Sequence, residues 1–317
     1  MTDHEASGTA IGPTMRAIRL SSPGGPGALE LEEISVPDLA PGEALIRVHA
    51  AALTKDELEW PEDRLPAIPS YEVSGAVAAV AQDVETVSVG DSVYALTDFG
   101  RDGAAADFVA VAAELLAPKP RTLDDVQSAA IPLPGLSAWQ GLFDHGGLEA
   151  GQRVLITGAA GGVGHLATQL ARHRGAHVIG TASPASQEAA RGFGAHEVID
   201  GSDLRPLEPV DLVFDTVGGA TLEASPAVIR PGGRLVSVAE ETPEVPPEAK
   251  IETSYFVVEP NRGQLVELTR LAEAGDLVPA IDSVFPLADA RSAFERTQAS
   301  GKRGKVVLRV SEDGDDV

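Results

Sequence analysis

One segment restricts the fold of this chain more than any other. Across Val154–Leu170, VLITGAAGGVGHLATQL, an apolar run meets a glycine-rich turn that opens directly into a helix. The helix sets Val163, Leu166, Ala167, Leu170 and Ala171 on one face at helical spacing. A dinucleotide-binding turn must be tight, let backbone approach a pyrophosphate, and bring its helix close to a sheet. Gly161, Gly162 and Gly164 meet those needs, and the helix start supplies unpaired N–H groups and a positive dipole end. Ala159 stands where the GxGxxG pattern has its first glycine, with Gly158 before it to relieve the turn. The alternative is a strand–helix turn without ligand. The flanking strand and helix, and a second strand at HVIGTA, favour the dinucleotide.

The rest of the chain divides by texture. From Met15 to about residue 120, short runs such as MRAIRL, LELEEISV, EALIRVHAAAL, EVSGAVAAV, DSVYAL and DFVAVAAELLA are separated by Gly, Pro and Asp. That pattern predicts a barrel-like domain of short strands. Near Leu123 it changes. TLDDVQSAAIPL reads as a helix capped by Thr122, and LSAWQGLFDHGGL as a second helix closed by Gly146–Gly147. Strand and helix runs then alternate through GRLVSVAE, which predicts βαβ units on a parallel sheet. GQLVELTRLAEAG and LADARSAFERTQAS read as helices, GKVVLRV as a last strand and SEDGDDV as a frayed end. The opening MTDHEASGTAIGPT has neither a basic n-region nor an apolar core. It is read as a disordered lead-in, residues 1–14, to a cytoplasmic protein.

Composition removes several chemistries. The chain has no cysteine, so a disulfide framework, a Cys nucleophile, a thiolate zinc site and an iron–sulfur cluster are excluded. Its seven histidines form no HExxH, and the expectation is no metal. The 24 Lys+Arg against 48 Asp+Glu give a net charge of −24, which repels nucleic acid and anionic membranes. Salt adaptation and simple solubility both account for that surface. Lysine is scarce: only Lys55, Lys119, Lys250, Lys302 and Lys305. GTASPAS at Gly180–Ser186 has no acid until Glu188 to hold an adenosine ribose as NAD requires, and Ser183 and Ser186 can face a 2′-phosphate. The expected cofactor is therefore NADP(H), although no Arg or Lys lies in that loop.

Longer stretches carry a family resemblance. PGEALIRVHAAAL, IPSYEVSGAV, VGDSVYAL, PLPGLSAWQGLFDHGGLEAGQRVLITGAAGGVG, VFDTVGG and GKVVL make residues 15–310 resemble a zinc-free medium-chain dehydrogenase/reductase of the NADPH:quinone oxidoreductase, zeta-crystallin-like branch. The resemblance implies an α/β chain: a GroES-like β-barrel catalytic domain from residues 15–122 and 258–317, a doubly wound Rossmann domain from 123–257, and an active site in the cleft between them. It further implies a homodimer. Tyr71 stands beside Glu72 where zinc-dependent relatives commonly have His before an acid. By the same resemblance Ala160, Gly161, Gly162 and Val163 form the pyrophosphate loop, Ser137 lies near the nicotinamide ribose and Ser183 near the 2′-phosphate. Val238, Phe256 and Val257 would line the nicotinamide, with Lys302 and Lys305 in the returning tail.

The family's Asn-Pro-x-Asp is replaced by Leu53-Thr54-Lys55-Asp56. Thr54, Lys55 and Tyr71 are accordingly the catalytic candidates, with Tyr94 as a further donor, and Trp139 reads as core. Glu72 either supports the contact between the two domains or is solvated. The expected reaction is metal-free hydride transfer from NADPH to a quinone or an α,β-unsaturated carbonyl. A metal-free alcohol or ketone oxidoreductase and a low-turnover NADPH-binding sensor or structural protein are the alternatives.

Overall fold

The structure, a computed structural model, describes residues 11–60, 62–201, 203–204 and 207–311. The first ten residues of the expected lead-in and the acidic end from residue 312 lie outside the described residues. Thr14, assigned to the lead-in, instead pairs with Ser35 at the start of a strand.

Strands β1 (Thr14–Leu20) and β2 (Leu29–Ser35) form an antiparallel pair. Strands β3 (Glu43–Leu53), β4 (Glu72–Val80), β5 (Ser92–Leu96), β6 (Phe108–Ala112) and β7 (Ala117–Pro118) follow. Two helices come next, α1 (Asp125–Ala129) and α2 (Pro132–Trp139). Helix α1 is capped by Asp124, not Thr122: the Asp124 side chain accepts from the Gln127 N–H and Gln127 reciprocates. The Thr122 hydroxyl is used on the Ala272 carbonyl. Helix α2 runs on into a wide turn at Gln140–His145, where a Cβ on Gly141 would lie 2.2 Å from Phe214.

The parallel sheet is β8 (Arg153–Ile156), β9 (His177–Thr181), β10 (Glu197–Ile199), β11 (Val210–Asp215), β12 (Ile229–Ser237) and β13 (Glu252–Tyr255), with α3 (Gly164–His173), α4 (Gln187–Gly192) and α5 (Gly219–Ala224) between strands. Its spatial order is β10-β9-β8-β11-β12-β13. The order reverses at β8, so the crevice outside the carboxyl ends of β8 and β11 is where such a sheet binds ligands. Buried Asp215 holds those ends in register: it accepts from the Thr157 hydroxyl (2.7 Å), the Ser237 hydroxyl (3.0 Å) and the Gly218 N–H (3.0 Å).

Helix α6 (Arg262–Ala274), β14 (Ile281–Pro286), α7 (Ala290–Gln298) and β15 (Lys305–Arg309) complete the chain. Strand β15 pairs antiparallel with β3, so the second sheet, β14-β15-β3-β4-β5-β7 with β6 also on β3, is built from both chain ends. The core does not follow a division at residue 258. Val258, Leu265, Leu268 and Leu271 pack with the parallel-sheet residues, because the apolar face of α6 meets α2 across Gly135, whose absent side chain leaves room for Leu268. No helix among the described residues is long and apolar enough to cross a membrane.

Candidate active site

The glycine turn sits at the head of the crevice. Gly158 takes a left-handed φ of +63°, which supplies the tight bend. The methyl of Ala159 is accommodated by the next strand: a Cβ at Gly180 would lie 2.5 Å from it, so the side chain missing at 180 makes room for the one present at 159. Helix α3 packs so closely that a Cβ on Gly164 would stand 2.1 Å from the Gly158 carbonyl oxygen. Gly164→Ala is therefore expected to lower the thermal midpoint by several degrees and abolish dinucleotide binding, checked by thermal melts and cofactor titration.

Behind the turn lies His165, fully buried, a residue to which sequence reading gave no role. Its ring bridges the Gly161 carbonyl (2.9 Å) and the Ala280 N–H (3.0 Å), and burial lowers its pKa to about 4. The neutral ring ties the glycine turn to the segment that enters β14.

From this turn a cleft of about 890 Å³ runs between the parallel sheet and the barrel. Gly162, Val163, Ser137, Val238, Phe256 and Val257, six of the residues expected at a cofactor, line this one cleft. Phe256 stacks on His145 at 4.3 Å, and Val257 is exposed. Ala160 and Gly161 are not on the wall. Ala160 instead accepts the Gly304 N–H through its carbonyl (3.2 Å), which joins the turn to the returning tail. Ser183 is not on the wall either; it lies exposed on the loop after β9, beside Ser186.

Thr54, Lys55, Lys302 and Lys305 line the same cleft. Three of the five lysines of a −24 chain thus converge here. Burial and the neighbouring ammoniums of Lys305 and Lys55 push Lys302 below the usual lysine range, and it donates to the Thr297 carbonyl. Lys305 is nearly buried. It donates to Glu72 (2.5 Å) and to the Thr54 hydroxyl oxygen (3.0 Å). Glu72 is fully buried and not solvated; its other oxygen accepts the Leu133 N–H of α2 at 3.1 Å. Burial pushes the Glu72 carboxyl up against the opposing pull of Lys305. One carboxylate therefore joins β4, β15 and the start of α2.

Two tyrosine candidates fall elsewhere. Tyr71 is fully buried under Trp60, ring centroids 5.6 Å apart, and its hydroxyl takes a hydrogen bond from Arg64. It is not on the cleft wall, and its apolar body serves the packing of Trp60 and Phe99, which are. Tyr94 donates to the Leu265 carbonyl (2.7 Å) and anchors α6. Trp139 packs edge-on to Phe143, away from the cleft.

Glu57 was missed in the sequence. It is 1% exposed; one oxygen accepts the Thr54 backbone N–H at 3.0 Å, and the other has no hydrogen-bond partner among the described residues. Burial raises its pKa to about 8, against the attraction of Lys305.

Comparison with known proteins agrees with this architecture. The family model described as alcohol dehydrogenase GroES-like domain matches residues 40–121, and that described as zinc-binding dehydrogenase matches residues 193–308. A probable zinc-binding oxidoreductase, mitochondrial, of Arthroderma benhamiae is 32% identical over 96% of this chain and 99% of the relative. An NADPH-dependent alkenal/one oxidoreductase, chloroplastic, of Arabidopsis thaliana is 33% identical over 94% of this chain and 80% of the relative. The solved structure of the quinone oxidoreductase from Coxiella burnetii superposes with a TM-score of 0.88 at 31% identity, covering 94% of this chain and 99% of that one. The donor set here does not suit zinc. The chain has no thiolate, Glu72 is committed to an ammonium, and no group of three or more His, Asp or Glu among the described residues could hold a metal ion.

Proposed function

The chain belongs to the medium-chain dehydrogenase/reductase family, and from that premise we propose that it is an NADPH-dependent reductase acting on quinones or α,β-unsaturated carbonyls. The observation that carries the reading is the convergence of Lys55, Lys302 and Lys305 on a cleft that begins at the glycine turn. In a chain with twice as many acids as bases, cations gathered along one cleft favour an anionic ligand, and a dinucleotide is such a ligand. Bound reduced nicotinamide would supply the hydride.

The chain's own residues supply the rest. Gly162, Val163 and the start of α3 hold the pyrophosphate, with Ser137 toward the ribose. Trp60, Phe99 and Leu133 give a flat apolar wall that suits a planar conjugated acceptor and excludes water. Lys305 donates to the Thr54 oxygen and the Thr54 hydroxyl is hydrogen-bonded to Glu72, so Thr54 and Lys305 face the cleft as one polar unit where negative charge would develop on the acceptor oxygen. Glu72 keeps the Lys305 ammonium aimed at Thr54. Lys55 remains a cleft-lining cation at the mouth.

The test is anaerobic oxidation of NADPH, and separately NADH, with a panel of quinones, enones and one saturated ketone. Turnover with quinones or enones and preference for NADPH is the expected result. Cofactor binding without turnover on any acceptor would overturn the reductase reading. The Thr54–Lys305 donor pair also favours a second reading, ketone reduction, which the saturated ketone separates.

A further inference from the structure

We propose that Arg303 reads the adenosine 2′-phosphate and sets the preference of this chain for NADPH over NADH; the inference rests on the cleft being a dinucleotide site.

The loop that ends β9 carries no cation in sequence, which leaves its serines without a charge partner for a phosphate. The fold brings one from 118 residues away: the Arg303 guanidinium reaches this loop and donates to the Ala185 carbonyl. Ser183 is exposed on the same short loop, with its hydroxyl 3.4 Å from that of Ser186. Guanidinium presents five N–H donors in a planar fork suited to phosphate. Only the one bond to a neutral carbonyl is made here, and among the described residues no carboxylate pairs with the Arg303 side chain. In a chain with 48 acids, an exposed arginine paired to none of the described ones is placed to receive an anion.

The backbone that presents Arg303 is fixed on both sides. Its N–H donates to Asp282 at 3.1 Å, and both oxygens of Asp282 are gripped by Arg296 at 2.7 Å. Gly304 follows with φ +82°, where a Cβ would lie 2.0 Å from the Ala280 carbonyl oxygen, and its N–H bonds Ala160 of the glycine turn. Residues 303–305 therefore cross the site lengthwise. Arg303 stands at the ribose end, Gly304 at the phosphate turn and Lys305 at the reacting end.

The competing role is a mechanical latch between tail and loop, which would affect both dinucleotides alike. The experiment is fluorescence titration of NADPH and NADH into the full-length protein, wild type, Arg303→Ala and Arg303→Lys, with 2′,5′-ADP and 5′-AMP as nicotinamide-free probes. Loss of a charge-assisted contact in Arg303→Ala is expected to weaken NADPH and 2′,5′-ADP about 10- to 100-fold. NADH and 5′-AMP should change less than about 2-fold, and Arg303→Lys should recover part of the loss. Equal weakening of both dinucleotides, no weakening of NADPH, or equal wild-type affinity for the two would overturn the role of Arg303 alone. Wild-type binding of neither dinucleotide would overturn the dinucleotide reading and this inference with it.

Discussion

Replacing Lys305 by Met is expected to destabilise the fold by about 3–5 kcal/mol, because it leaves a buried carboxylate without its cation. Glu72 is fully buried and has Lys305 as its ion-pair partner, with the Leu133 N–H on its other oxygen. Without the ammonium, the largest influence opposing burial is gone and only the Leu133 and Thr54 hydrogen bonds remain, so Glu72 takes up a proton at higher pH than before. The penalty of Lys305→Met should therefore grow as pH rises, where holding the relieving proton on that carboxyl costs most. The double variant Glu72→Gln/Lys305→Met removes the stranded charge and should regain most of the lost stability in urea unfolding. Turnover should not return in the double variant, since the Thr54 hydroxyl has still lost its donor. A double variant as unstable as the single one would show that Lys305 acts through its packing against Gly162 and not through the ion pair.

That pair also marks where sequence reading stops. Periodicity and turn residues placed β1 to β6 and the helix–strand alternation around β8 to β12, since most of these strands bury apolar side chains in a pattern legible in one dimension. Strand β13, ETSY, was not foreseen because it is an edge strand with mostly exposed polar residues, and β14, IDSVFP, because it lies among turns with little alternation. At the site, the glycine turn was legible because it joins a strand to a helix, whereas Ser137 of α2, Val238, Phe256 and Val257 were named only through the family resemblance. Tyr71 was misplaced because a tyrosine beside an acid reads as a donor until Trp60 is seen to cover it. Lys305 meets Thr54 across 251 residues and Arg303 meets Ala185 across 118, through antiparallel β15–β3 pairing and the tail's crossing of the turn. No local pattern encodes such contacts. Glu57 left one available clue: an acid in the same short segment as Thr54 and Lys55, one residue after Asp56.

Glu57 leads to the second large effect. Its pKa rises from 4.5 to about 8 because burial penalises the charged form. Between those values the folded chain holds a proton that the unfolded chain has released. Stability from this group is thus fully present below pH 4.5, declines as pH rises toward 8, and is level above. At about 1.4 kcal/mol per pH unit the decline amounts to a few kcal/mol, and Glu57→Gln should remove it. Glutamine keeps the acceptor for the Thr54 N–H and places a neutral group where the unpartnered oxygen lies. The stability difference, variant minus wild type, measured by urea unfolding from pH 5 to 9, should therefore climb and then flatten near pH 8. A difference independent of pH would mean that Glu57 is ionised throughout. The same titration bears on the reaction. While Glu57 is neutral, Lys305 faces the single negative charge of Glu72; once Glu57 ionises, a second carboxylate competes for the ammonium that supports Thr54. Wild-type kcat should accordingly fall above about pH 8, while Glu57→Gln holds its rate there, which ties the protonation of a buried side chain to the donor at the cleft wall.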